Sequence, residues 1–113
     1  MVTDAYREFV LEQLGRVRPV AARKMFGAVG IYADGLFFAL IDDDTLYFKV
    51  DDLTRPSYEA EGMGPFMPGG DPKQVMQYYQ VPPEALEEPD VLRPWMETAI
   101  EVALRARRRR RKG

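Results

Sequence analysis

The chain contains no cysteine and no histidine. Without cysteine there is no disulfide and no thiol nucleophile, the usage expected of a reducing compartment. Without histidine, the Ser-His and Cys-His nucleophile systems, imidazole acid–base catalysis and the common zinc sites all lose their central residue. Any catalysis would have to rest on Asp, Glu, Lys, Tyr or a cofactor. Long apolar runs are missing as well. No stretch approaches the roughly 18 residues of a membrane span, and the N-terminus lacks the basic-then-apolar layout of a signal peptide. The expectation is a cytoplasmic protein with no membrane association.

What is present suits one domain. A length of 113 residues is enough to bury a core without disulfides or a metal, and 46% hydrophobic with 30% charged residues is ordinary for a globular chain. The net charge of −2 conceals a division. All 18 acidic residues lie at or before Glu101, whereas seven of the 16 basic residues occupy the last nine positions. The body through Leu104 holds nine basic residues against its 18 acidic ones and so carries −9, while the end carries +7. The chain therefore divides into a folded domain over residues 1–104 and a basic, disordered tail over residues 105–113.

The pattern of residues predicts the elements. Thr3 caps a first helix whose stripe includes Tyr6, Phe9, Val10, Gln13 and Leu14, and Gly15 ends it. A strand over residues 22–32 follows, interrupted at Gly27 and Gly30 by a bulge or bend. Asp34-Gly35 marks a hairpin into a strand over residues 36–41, and Asp42-Asp43-Asp44-Thr45 leads to a strand over residues 46–50. Asp51 or Asp52 caps a helix that runs to about Glu61, with Pro56 in its first turn and Gly62 as stop. A turn-rich loop around a short edge strand, over residues 64–72, precedes a strand over residues 75–81, which Pro82-Pro83 ends. After a helical turn at residues 84–88, a last helix begins near Asp90 with a stripe of Leu92, Trp95, Met96, Ala99, Ile100 and Ala103. The order is helix, three strands, helix, two strands, helix. This predicts a two-layer α+β domain, an antiparallel sheet with helices on one face.

Strict alternation sorts the strand residues into two faces. Leu36, Phe38 and Leu40 share one face with Leu46, Phe48 and Val50, which is taken as the core. Phe37, Ala39 and Ile41, joined by Tyr47, fall on the other face and form the candidate protein interface, with a homodimer as one use of it. Tyr78 and Tyr79 point to opposite faces, so one of them is expected at the surface or in an interface.

Three segments carry a family resemblance: Arg23-Lys24-Met25-Phe26-Gly27, Gly30 through Ala39-Leu40-Ile41, and Leu46-Tyr47-Phe48-Lys49-Val50-Asp51. Together with Tyr78-Tyr79-Gln80-Val81-Pro82, they resemble the N-terminal domain of the TfoX (Sxy) competence regulators, over about residues 6–104. Ala28 stands where a second glycine is common in that family. The resemblance implies a helix-β3-helix-β2-helix fold similar to secretion-chaperone-like domains, and a part in regulating DNA-uptake genes. Full-length regulators of this type carry a second, C-terminal domain, where this chain shows an arginine tail.

Other constellations read as architecture. Asp42-Asp43-Asp44 lacks the alternating ligands, central glycine and distal glutamate of a calcium loop, and is read as a solvated turn. Gly27-Ala28-Val29-Gly30 has strand-like flanks rather than the helices of a nucleic-acid clamp. Gly69-Gly70-Asp71-Pro72-Lys73 lacks the spacing of a phosphate loop. Most aromatics are assigned to the core, because the acidic body does not suit phosphates. No catalytic, metal or cofactor site is expected. The leading expectation is a non-enzymatic regulatory module that works by contact with an unidentified protein partner. The alternative is non-specific binding of nucleic-acid phosphates through Arg105, Arg107, Arg108, Arg109, Arg110, Arg111 and Lys112.

Overall fold

The computed structural model describes residues 1–112, the last of them as backbone only. The Lys112 side chain and Gly113, both in the expected tail, lie outside the described residues. Helix α1 (Asp4–Gly15) is followed by four strands, β1 (Ala21–Met25), β2 (Ala28–Ala33), β3 (Leu36–Asp42) and β4 (Thr45–Lys49). Helix α2 (Arg55–Ala60), a 3-10 turn (Pro68–Gly70), strand β5 (Tyr78–Gln80), helix α3 (Pro83–Glu87) and helix α4 (Pro89–Lys112) complete the order. The strands form one antiparallel sheet in the order β1-β2-β3-β4-β5. The α+β class with helices packed on the sheet is as expected.

The element order departs from the expectation at the first strand, which is a hairpin rather than one bent strand. Phe26 and Gly27 both take positive φ, 46° and 82°, and make a two-residue turn that pairs Met25 with Ala28. Such a turn matches the twist of its flanking strands, and Gly27 supplies its second position without a Cβ penalty. Four strands therefore precede α2. At the far end, β5 is shorter than expected because Val75 and Met76 are exposed. The Met76 N–H donates to the Phe66 carbonyl instead of continuing the ladder.

A bulge decides which side chains enter the core. Ile31 pairs with Ala39 and Tyr32 with Phe37, so Phe38 is an extra residue in β3 opposite no partner. At such a bulge two consecutive side chains share a face and the alternation changes phase. Leu36, Phe38, Ala39 and Ile41 accordingly all join the main core with Leu46, Phe48 and Val50. Only Phe37 and Leu40 of this run turn to the other face. The core is closed by Val10 and Leu14 of α1, Tyr58 of α2, Leu86 of α3, and Leu92, Met96 and Ile100 of α4.

The helix ends are tied as their sequences suggest. Thr3 Oγ1 accepts from the Tyr6 N–H at 3.2 Å and itself donates to Asp44 Oδ2 at 2.8 Å. Gln13, the one buried polar side chain among the described residues, donates to the Leu86 carbonyl at 2.9 Å. Asp51 Oδ1 accepts from the N–H groups of Leu53 and Thr54, which forms a turn ahead of the helix. Thr54 and not Asp51 or Asp52 is therefore the N-cap, and α2 begins three residues later than a cap at Asp51 would start it. The expected boundary at Leu104 is not an element end, since α4 is continuous from Pro89 to Lys112. Arginine is a strong helix former, and the packed stripe ahead of Leu104 supplies the nucleus that the basic segment extends.

Candidate functional site

The interface expected from alternation does not form as a set. Ala39 and Ile41 have no exposed surface, because the bulge at Phe38 turns both into the core. Phe37 and Tyr47 do lie on the opposite face and are half-buried there around Leu40, Tyr78 and Phe66. Phe66 belongs to the connection before β5, whose residues 64–66 run alongside that strand. The Phe66 N–H donates to the Tyr78 carbonyl and the Gln80 N–H to the Gly64 carbonyl. Both tyrosines of β5 are consequently buried, Tyr79 against Tyr58 on the core side and Tyr78 against Phe37 on the other. Neither is the surface residue that the sequence led one to expect.

Across this second face the rings and cations form a series. Arg23 sits over the Tyr32 ring at 5.9 Å, Tyr32 stacks on Phe37 at 5.2 Å, Phe37 meets Tyr78 at 5.6 Å, and Lys49 Nζ lies 5.0 Å from the Tyr78 ring centre. Gly30 keeps the series close. A Cβ there would stand 2.5 Å from Met25 Cε and 3.2 Å from the Phe37 ring. Burial, the nearby Tyr32 and a smaller opposing effect of Arg110 leave the Tyr78 hydroxyl pushed up to about 12.

The two edges of the sheet differ. Residues 64–66 cover β5, whereas no strand pairs with the outer edge of β1 among the described residues. Since Met25 and Ala28 flank a two-residue turn, they form a hydrogen-bonded pair, and alternation turns the backbone groups of Ala22 and Lys24 outward. The edge is lined by cations, with Arg23 and Lys24 both exposed. A cleft of about 480 Å³ beside Val20, Arg23 and Tyr32 opens on one side of it, and one of about 320 Å³ beside Arg7, Lys24 and Phe26 on the other. Arg7 Nε is buried in the structure without a hydrogen-bond partner. At the tip, Phe26 is fully exposed and held at positive φ, a combination that costs a bulky side chain twice.

The basic end of α4 is anchored to the sheet. Arg105 Nη2 donates to Asp51 Oδ2 at 2.7 Å. Burial alone would raise the Asp51 carboxyl, but the bonds from Arg105 and from the Thr54 and Leu53 amides outweigh it and hold the group below its ordinary range. Arg109 lines the same cleft as Arg105 and Lys49, while Arg108, Arg109, Arg110 and Arg111 are exposed and Arg107 is half-buried. The acidic turn is occupied internally. Asp43 and Asp44 take positive φ, Asp44 accepts from the N–H and hydroxyl of Thr3, and Asp43 faces the N-terminal amine at 3.7 Å.

Residues 12–103 match the TfoX N-terminal domain. The chain belongs to that family. A comparison with curated proteins finds no match. As a TfoX N-terminal domain the chain is a competence-regulator-like module of a regulatory family. No helix among the described residues is long and apolar enough to cross a membrane.

The matched span divides the surfaces. The β1 edge, Phe26, Lys49 and Asp51 lie inside the TfoX N-terminal domain, whereas Arg105 and the arginines after it lie beyond its end. Sequence reasoning missed Phe26 as a surface feature and Lys49 as a neighbour of the basic end. The first had a partial signal, Gly27 between two strand-forming segments, which the phenylalanine before it masked. The second had none, because 60 or so positions separate Lys49 from Arg110 in the chain.

Proposed function

We propose that this TfoX N-terminal domain is a non-enzymatic regulatory module that acts by protein contact, with edge strand β1 taking up an extended, acidic segment of a partner. The observation that carries this reading is the open β1 edge ending in an exposed, strained phenylalanine. An added strand would pair with the outward backbone groups of Ala22 and Lys24. Its alternate side chains would enter the clefts on the two sides of the sheet. Arg23, Lys24 and Arg7 supply charge for acidic side chains, and Phe26 supplies an apolar anchor. The same cations argue against a second copy in this place. Antiparallel pairing of two β1 strands would set Arg23 and Lys24 against their counterparts. Of the four non-glycine residues at positive φ among the described residues, three are aspartates that tolerate it and only Phe26 is bulky. Strain of that kind is a recurrent mark of a binding site.

The test is selection from a display library of random peptides, followed by titration of the selected sequences. Extended peptides rich in Asp and Glu are expected. Lys24→Pro removes an outward N–H that the intact sheet does not use, so the fold is expected to tolerate it. Loss of binding in Lys24→Pro with partial retention in Lys24→Gln would support backbone pairing. Undiminished binding to both would remove β1 as the docking strand.

A further inference from the structure

We propose that Lys49 and Arg109, which line one cleft, form with the exposed arginines next to Arg109 a composite site for the phosphodiester backbone of a nucleic acid. It is separate from the β1 edge and independent of the protein-contact reading. The site is built where α4 passes the end of β4. A cleft of about 570 Å³ opens there, lined by Lys49, Asp51, Asp52, Gln77, Arg105 and Arg109 among others. Its two carboxylates are already engaged, Asp51 by Arg105 at 2.7 Å and Asp52 by Arg55 at 2.7 Å. Among the described residues, no carboxylate lies within ion-pair distance of Lys49, Arg109 or Arg110.

Lys49 is the unusual member. It is half-buried, with its ammonium over the Tyr78 ring, and it faces a cationic helix end rather than an acid. Burial first, and then the charge of Arg110, lower its proton affinity. Gathering like charges in a partly desolvated cleft is unfavourable unless an anion completes it. The Asp51–Arg105 bond holds the helix in that place, so the crowding belongs to the fold and is not an accident of a loose terminus.

The chemistry of the surrounding surface selects the anion. Residues 107–111 are all arginine, and a folded acidic protein docking on them would bury almost no apolar area. Phosphates need none, and the guanidinium fork matches their geometry. The body carries −9 in total, so apart from the cations of the β1 edge its field disfavours a polyanion and directs one to this end. The seven cationic positions at the end supply enough charge for several phosphates, and Lys49 adds one from within the folded sheet.

The experiment is fluorescence-anisotropy titration of a labelled single-stranded RNA and a DNA duplex with the full chain, repeated from low to moderate salt. Lys49→Gln and Arg109→Gln are compared with the parent, each checked for an unchanged circular-dichroism melt. The parent should bind, and either substitution should make the slope of log K against log salt shallower by about 0.7 on RNA and about 0.9 on duplex DNA. If the parent binds and Lys49→Gln leaves the slope unchanged, the tail acts alone and the composite site is wrong. If the parent does not bind at low salt, phosphate contact itself is wrong, and the β1 proposal stands untouched. Displacement of RNA by poly-glutamate at equal charge concentration would assign the site to acidic peptides and overturn the proposal.

Discussion

Arg105 in the last helix donates to Asp51 at the end of β4, joining two segments 54 residues apart by a 2.7 Å bond. The Asp51 carboxyl is largely buried, and the amides of Leu53 and Thr54 also donate to it. One carboxylate therefore starts α2 and fastens α4.

This bond sets a dependence on pH. The folded carboxyl titrates below its ordinary value of 3.8, so the charged form is favoured by folding. Its contribution is complete above that value and is lost as pH falls through the lower, folded one. Melts of the parent and of Asp51→Asn between pH 7 and pH 2 should differ most at neutral pH and converge in acid. A constant difference across the range would show that Asp51 acts without its charge.

Phe26 gives the opposite kind of prediction, a substitution that stabilises. At positive φ a phenylalanine is strained, and its ring gains nothing from burial. Phe26→Asn creates an Asn-Gly turn, the preferred pair for this geometry, and should raise stability by about 1 kcal/mol. The same substitution should weaken binding of any peptide selected on the β1 edge. Denaturant titration measures the first effect and peptide titration the second.

Ile41 tests the bulge. Strict alternation puts it on the surface, where a charge would be tolerated. The observed register buries it completely, so Ile41→Glu places an unpaired carboxylate in the core. The cost should exceed about 4 kcal/mol and abolish the cooperative melt. A folded Ile41→Glu variant would refute the bulged register of β2 and β3.

Tyrosines govern the alkaline limit. Burial is the first cause of the raised values of Tyr58 and Tyr78, the latter to about 12. A folded value above the unfolded one means that stability is complete below pH 10 and declines as pH rises above it. Absorbance at the tyrosinate band should therefore rise in two stages, the second coinciding with loss of the circular-dichroism signal. Tyr78→Phe should reduce the amplitude of that second stage.

Turn chemistry and helix stripes made much of the architecture readable in the sequence. Asp34-Gly35 forms the expected hairpin, Thr3 forms the expected cap, and the stripe from Leu92 to Ala103 packs as its spacing requires. The Phe26-Gly27 turn was hidden because its first position holds a residue that turns avoid. The bulge at Phe38 was hidden for another reason. With apolar residues on both faces from Leu36 to Ile41, a change of phase leaves no polar residue out of place to reveal it. Of the candidate sites, the chemistry of the basic end was visible, but its approach to Lys49 depends on packing that no local pattern encodes.

The unequal edges of the sheet also limit assembly. Residues 64–66 close β5, and Pro65 in their midst offers no N–H to a further strand. A strand can join only at β1, and once one has joined, that side is filled by the partner. Growth by this domain stops after a single addition, so edge pairing yields a discrete one-to-one complex and not a fibre.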